Sequence, residues 1–221
     1  EIVTTVEAQA NDASGVAGRL RVSMPPHLEA LWPLFRAFGR CYPAVRFDVF
    51  VTDRRVDLVA DGVDVALRIG EGGSAGYVGR TLARYRHRLV ASPRFLAAHP
   101  LRAPSDLARV PCACWRSPRG SVWQLGDTEV DLEPAFVTND YLHLLRLAEA
   151  GDVVTEVPPF LAARALERGR LVEPLTRYPL PEVTMRALVV ERRSMPPLVR
   201  HFLDFAAENV PRALGVAMAT S

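Results

Sequence analysis

The chain has 221 residues, 49% of them hydrophobic, and 27 basic side chains against 25 acidic ones, a net charge of +2. That length and apolar content suit one large domain or two small ones. No apolar run approaches the ~18 residues of a membrane span, and the balanced, scattered charge argues against a surface that grips duplex DNA directly. Every basic residue is arginine, so chemistry that needs a lysine (Schiff bases, the phosphate lysine of a P-loop, Ser-Lys dyads) is excluded. The three cysteines, an odd number, do not suggest a disulfide framework. The opening residues, EIVTTVEAQANDASG, have no positive end followed by an apolar stretch and do not read as a secretory signal.

Residues 1–17 read as the end of a linker helix or an unstructured lead. Arg19 to Ser23 predicts a short strand. Leu28, Leu31, Trp32, Leu34, Phe35 and Phe38 recur at helical spacing, and Tyr42-Pro43 closes that helix. Val45, Phe47, Val49 and Val51 then alternate with Arg46, Asp48, Phe50 and Thr52, the period of a strand. Asp53-Arg54-Arg55 predicts a two-turn helix ending at Gly62, and Val63 to Ile69 a second strand. Strand, helix and strand in so few residues form a βαβ unit. Ligands in open α/β sheets sit at the strand ends, here Thr52-Asp53 and Gly70, so a small-molecule cleft is expected.

A glycine-rich loop follows at Glu71 to Gly79, then a strand at Tyr85 to Ala91 and a helix opened by Ser92-Pro93. Strands are expected at Cys112 to Arg116 and Phe136 to Thr138. A hairpin turning at Gly126-Asp127 lies between them. Asn139-Asp140 caps a helix to Ala150, which Gly151 stops. Val153 to Val157 is a strand, Pro158-Pro159 starts a helix ending at Gly169, Met185 to Val190 is a strand, and Pro197 to Asn209 a helix. The tail after Val210 has little pattern. Alternating strands and helices predict α/β architecture with parallel sheets.

Catalytic motifs fail their context tests. Gly72 to Gly76 matches G-x-S-x-G, but an extended segment follows where a nucleophile elbow needs a helix. Cys112-x-Cys114 is too closely spaced for a C-x-x-C site, and His27, His87, His99, His143 and His201 are scattered. No catalytic residue, metal ligand or cofactor is expected. Ser23, Thr52, Asn139 and Asp140 at strand ends read as a polar floor for a ligand, or as helix caps. Arg68 and Arg116 could pair a ligand carboxylate or form surface salt bridges. Glu156, in an apolar strand, selects a cationic or hydroxylated ligand or faces solvent.

Several phrases resemble the effector-binding region of LysR-type transcriptional regulators. They are GRLRVSMP at Gly18 to Pro25, the stretch Leu31 to Gly70 containing DRRVDLVADGVDVALRIG, and RHRLVASPRFLAAHP at Arg86 to Pro100. PSDLARVPC at Pro104 to Cys112, TNDYLHLLRLAEAG at Thr138 to Gly151 and VPPFLAARALERGRLVEPL at Val157 to Leu175 complete the set. The resemblance runs from Gly18 to Val210. It implies two α/β lobes of periplasmic-binding-protein type joined by two crossover segments, with a ligand cleft between. Residues 18–90 with 186–210 would form lobe I, 91–185 lobe II, and 211–221 a tail. It implies an effector site at Ser23, Pro25, His27, Thr52, Asp53, Ile69, Gly70, Arg116, Thr138, Asn139 and Glu156, and a carboxylate is one candidate effector. It further implies a cytoplasmic homodimer or tetramer formed through the Leu28–Cys41 and Tyr141–Ala150 helices. Promoter DNA would be reached only through an N-terminal winged helix-turn-helix not included in these residues. Two segments depart from the family pattern: PHLEALWP after Met24, with His27 near the position of a usual hydroxyl, and AGDVVTEVP at Ala150 to Pro158, where Asp152 and Glu156 replace apolar residues. The alternatives are a monomeric, exported solute-binding protein of a transporter, a small α/β enzyme, and a thiol sensor using Cys112 and Cys114.

Overall fold

The computed structural model describes residues 16–54, 56–70, 76–117, 120–191 and 194–216. Residues 1–15 of the expected linker end at 1–17, residues 71–75 of the glycine-rich loop at Glu71 to Gly79 and the last five residues lie outside them. The chain divides into two compact units. The first comprises the described parts of Glu1–Tyr85 and Val183–Ser221, and the second comprises those of Arg86–Glu182.

The first unit is built on five strands: β1 (Gly18–Met24), β2 (Val45–Val51), β3 (Val65–Ile69), β4 (Tyr77–Arg86) and β11 (Glu182–Val190). Their order is β2-β1-β3-β11-β4. β1 runs parallel to β2 and β3, and β11 runs antiparallel to β3. The sheet is therefore mixed, not all-parallel as alternation suggested, because β11 returns after a long excursion and enters from the other end. Leu20, Val22 and Met24 point to one face and are almost wholly buried. That face is covered by α1 (Trp32–Cys41), preceded by a 3-10 turn at Glu29–Leu31, and by α5 (Pro197–Leu214). Phe38 is the hub of this packing. Its ring lies 5.4 Å from those of Phe202 and Phe205 and 5.8 Å from that of Phe47, edge to face in each case.

Two expectations fail in this unit. No helix forms between Asp53 and Gly62; the described residues there make consecutive turns. The Asp57 carboxylate accepts hydrogen bonds from the amides of Val59 and Ala60 at 2.9 and 3.1 Å, offering the backbone a local alternative to helix. Among the described residues of this segment, Leu58 and Val63 are buried against Ala66 and Leu188, Val56 is partly buried against the same cluster, and Val59 is exposed. The segment thus lacks the apolar face that would hold a helix to the sheet. Second, α5 does not end at Asn209 but continues through Pro211 to Leu214. Phe202, Ala206, Val210 and Leu214 form one buried i, i+4 stripe, and this burial outweighs the missing proline N–H.

In the second unit, β5 (Arg88–Val90), β6 (Cys112–Trp115), β9 (Phe136–Thr138) and β10 (Val154–Val157) form a sheet of order β5-β10-β6-β9. β5 is antiparallel to β10; the other pairs are parallel. Cys112, Cys114, Leu89 and Val154 face one apolar cluster, and Val90, Ala113 and Val157 face another. The hairpin β7 (Val122–Leu125) to β8 (Thr128–Asp131) turns at Gly126-Asp127 as expected. Among the described residues three α-helices and a 3-10 helix at Pro104–Arg109 complete the unit: α2 (Pro93–Ala98), α3 (Tyr141–Ala150) and α4 (Pro159–Glu167). Ser92 caps α2 by accepting the Phe95 amide at 3.1 Å. Asp140 caps α3 by accepting the amides of Leu142 and His143, and Gly151, at φ 85°, ends it.

Candidate functional site

In the first unit, β1, β2 and β3 are parallel, so their carboxyl ends lie side by side: Ser23 is opposite Phe50 on one flank and Ala66 on the other. Thr52 ties the chain leaving β2 to the end of β1, its amide donating to the Met24 carbonyl at 2.9 Å. Its hydroxyl accepts the Arg54 amide at 3.1 Å. Ser23 is wholly buried and its hydroxyl accepts from Arg68 Nη2 at 2.9 Å. Arg68 also donates to the Leu67 carbonyl at 2.8 Å and reaches the Arg54 carbonyl at 3.5 Å. Burial of the Arg68 guanidinium, by favouring the neutral form, holds its pKa below the ordinary arginine value. Ile69 and Gly70 are half-buried, and the Gly70 amide donates to Thr184 at 2.9 Å, tying the end of β3 to β11. Pro25 and His27 are half-buried after β1, His27 with a left-handed φ of 63°; Asp53 is exposed.

A concavity of about 540 Å³ opens on this sheet; its wall includes Thr52, Arg54, Arg21, Phe50 and the carboxylates of Asp48 and Asp61, and Ser23 and Arg68 lie beside it and not on it. Arg21 is engaged with Asp48 at 3.8 Å. Phe50 is 57% exposed, an apolar surface beside these polar groups. The structure thus brings Ser23, Thr52, Arg54 and Arg68 together at one end of the sheet.

The second unit gathers its own candidates at the ends of β6 and β9. The Arg116 amide donates to the Thr138 carbonyl at 2.8 Å, and Thr138 accepts the Asp140 amide at 3.2 Å. The side chains of Arg116 and Asn139 are exposed, and the cap of α3 is Asp140. Glu156 does not face solvent. Its carboxylate is paired with His87 Nδ1, the two side chains being 14% and 11% exposed. The His87 ring packs edge-on against Tyr141 at 5.2 Å, and Tyr141 stacks on Trp115 at 4.1 Å. The sequence reading singled out none of His87, Trp115 and Tyr141 as a site residue. The available signal was a histidine between two strand runs and a carboxylate in an apolar strand.

Cys112 and Cys114 are buried and free, on the apolar face of β6. Burial, and then the neighbouring Cys114, push the Cys112 thiol up to about 12; burial, and then the Glu156 charge, do the same for Cys114. Among the described residues no three of His, Cys, Asp and Glu converge as metal ligands, and no helix is long and apolar enough to cross a membrane.

The family model of the LysR substrate binding domain matches residues 13–211. The chain belongs to that family. Among its relatives, the HTH-type transcriptional regulator PtxR of Pseudomonas aeruginosa is 33% identical over 207 residues, which cover 89% of this chain and 65% of PtxR. The HTH-type transcriptional regulator CrgA of Neisseria meningitidis serogroup C is 29% identical over 202 residues, covering 87% and 67%. This chain therefore spans about two-thirds of the length of these regulators. Of the solved structures, the regulatory domain of CrgA superposes with a TM-score of 0.77 at 26% identity, covering 88% of this chain and 99% of that one. The effector domain of AmpR from Pseudomonas aeruginosa, at 21% identity and a TM-score of 0.73, shows the same fold. The fold is that of two-lobed α/β regulatory domains of periplasmic-binding-protein type. LysR-family proteins bind small-molecule effectors and form oligomers. The relatives are transcriptional regulators, which disfavours the solute-binding-protein alternative.

Proposed function

We propose that this chain is the effector-sensing and dimerising part of a cytoplasmic transcription factor, and that it performs no catalysis. The observation that carries this reading is the convergence of Ser23, Thr52 and Arg68 at adjacent parallel strand ends beside a concavity. Polar groups at such ends orient small ligands. Ile69, Gly70, Pro25, His27 and Asp53 border the same strand ends, and Arg116, Thr138 and Asn139 offer a comparable set in the second unit. Glu156, engaged by His87, supports that second set and is not itself the selector.

In the whole protein a helix-turn-helix segment reads promoter DNA, since this region carries a net charge of only +2. An effector acts by binding one arrangement of the protein more tightly than another; only that difference can change regulator output. Copies pair through α1 of one and α3 of another, where Trp32 and Leu142 present apolar surface.

The test is a promoter-reporter assay of the full-length regulator carrying Thr52→Trp, which fills the wall of the concavity. The expected result is intact promoter binding with the response to the inducing metabolite pool abolished. An unchanged response removes the assignment of these strand ends.

A further inference from the structure

We infer that the ligand held at the strand ends of the first unit carries a carboxylate, and that Arg68 is the cation that receives it. This rests on the effector reading above and specifies its chemistry.

Arg68 sits in β3 on the face that also carries Ser23, two strand positions beyond Ala66, the neighbour of Ser23 in the sheet. Its hydrogen-bond acceptors are all neutral: the Ser23 hydroxyl, the Leu67 carbonyl and, at the limit of range, the Arg54 carbonyl. Among the described residues no carboxylate lies within salt-bridge distance of it. This sets it apart from Arg19, Arg21, Arg80, Arg88, Arg146 and Arg170, which each face an acidic side chain. Those six are close to solvent, where an ion pair contributes little. Arg68 is half-buried, where an uncompensated charge is costly.

The three contacts also hold the guanidinium in place, so little side-chain freedom is lost on binding. A guanidinium offers five N–H donors in a planar fork, and those three contacts leave donors for an incoming group. A carboxylate takes such a fork in a paired contact, shorter and stronger than neutral hydrogen bonds. The exposed Phe50 ring and Val56, on the same side of the sheet, suit an apolar body behind that carboxylate. The ligand class is therefore a small organic acid with an apolar portion, not a neutral sugar or an amine.

The experiment is calorimetric titration of the wild-type chain with benzoate and succinate, with benzamide and succinamide as neutral counterparts and sulfate as an anion without a carboxylate. At least one carboxylate binds, its amide binds at least about tenfold more weakly, and sulfate does not substitute for it. Arg68→Gln weakens carboxylate binding by about ten- to a hundredfold, and Arg68→Lys, which keeps the charge and loses the fork, recovers part of it. The wild-type comparison of acid with amide stands even if Arg68→Gln fails to fold. Equal binding of acid and amide, unchanged binding in Arg68→Gln, or no binding by either carboxylate overturns the inference. Thr52→Trp distinguishes it from the broader reading. If carboxylate binding is lost in Arg68→Gln but full-length Thr52→Trp still responds normally, the anion subsite stands and the effector assignment falls. If Thr52→Trp abolishes the response while acid and amide bind alike, the effector assignment stands and the anion subsite falls.

Discussion

His87, in the link joining β4 to β5, is paired through Nδ1 with the Glu156 carboxylate of strand β10, the two side chains being 11% and 14% exposed. Sixty-nine residues separate them in sequence, and the aromatic rings of Tyr141 and Trp115 extend from the histidine. The pair explains how a carboxylate is tolerated in an otherwise apolar strand. Truncating either partner leaves the polar group of the other largely buried without this hydrogen bond. Glu156→Gln is therefore expected to lower unfolding free energy by about 1–3 kcal/mol in urea titrations. The double variant His87→Gln with Glu156→Gln should cost less than the two single changes summed, and a strictly additive cycle would show that the pair contributes nothing of its own.

The thiols offer a direct check on the sensor alternative. With Cys112 and Cys114 pushed up to about 12 by burial, almost no thiolate exists at pH 8. Cys41 is also buried and its thiol is raised in the same direction. A thiol-reactive chromophore at pH 8 should label the folded chain only on the timescale of unfolding, and all three cysteines rapidly once urea is added. Fast native labelling of Cys112 or Cys114 would revive a redox role.

Asp106 gives a pH dependence with a defined sign. Its carboxylate accepts the amides of Arg102 and Ala103 at 2.8 and 3.0 Å, and these bonds hold its pKa below the ordinary aspartate value. A depressed folded value means the contribution is complete above the unfolded pKa of about 3.9 and is lost as pH falls through the folded value. Asp106→Asn should lower Tm by a constant amount between pH 5 and 7, with the gap to wild type shrinking below about pH 4. A gap that persists unchanged at pH 2 would assign the effect to shape and not to charge.

Association through α1 and α3 predicts a change in oligomeric state. Trp32 is 42% exposed and Leu142 is 37% exposed. The rest of the apolar stripe of α1 is not available for this contact: Leu34, Phe35 and Phe38 are consumed by the chain's own core. On that side of the helix the apolar surface left exposed is Trp32 and its neighbour Pro33. Trp32→Glu and Leu142→Glu should each shift sedimentation toward monomer at micromolar concentration without altering Tm of the isolated chain. Unchanged sedimentation in both would place the interface elsewhere.

Local signals made much of the fold legible. The alternation from Val45 to Val51 located β2, Gly126-Asp127 located the hairpin, and Asp140 with Gly151 bracketed α3. Each is a rule about residues a few positions apart. The errors arose where distant packing or a competing local bond decided the outcome. Asp57 folds its own segment into turns, and the burial of Val210 and Leu214 carries α5 through a proline. The candidate site was legible in part. Ser23 and Thr52 follow from strand ends, but the contact of Arg68 with Ser23 spans 45 residues, and no periodicity encodes it. The partner of Glu156 was likewise invisible, since a histidine between strands carries no mark of what it faces.

The placement of β11 between β3 and β4 has a kinetic consequence. Leu188 cannot pair with Ala66 until the ribosome has passed residue 188, by which time the whole contiguous segment Arg86–Glu182 has been made. The later unit in the chain can thus complete its hydrogen-bonded sheet first, while the earlier one waits with β3 and β4 unbridged. Nascent chains stalled shortly after Glu182 would carry one finished body and one open edge, the state in which this protein is most exposed to chaperones and to misassembly.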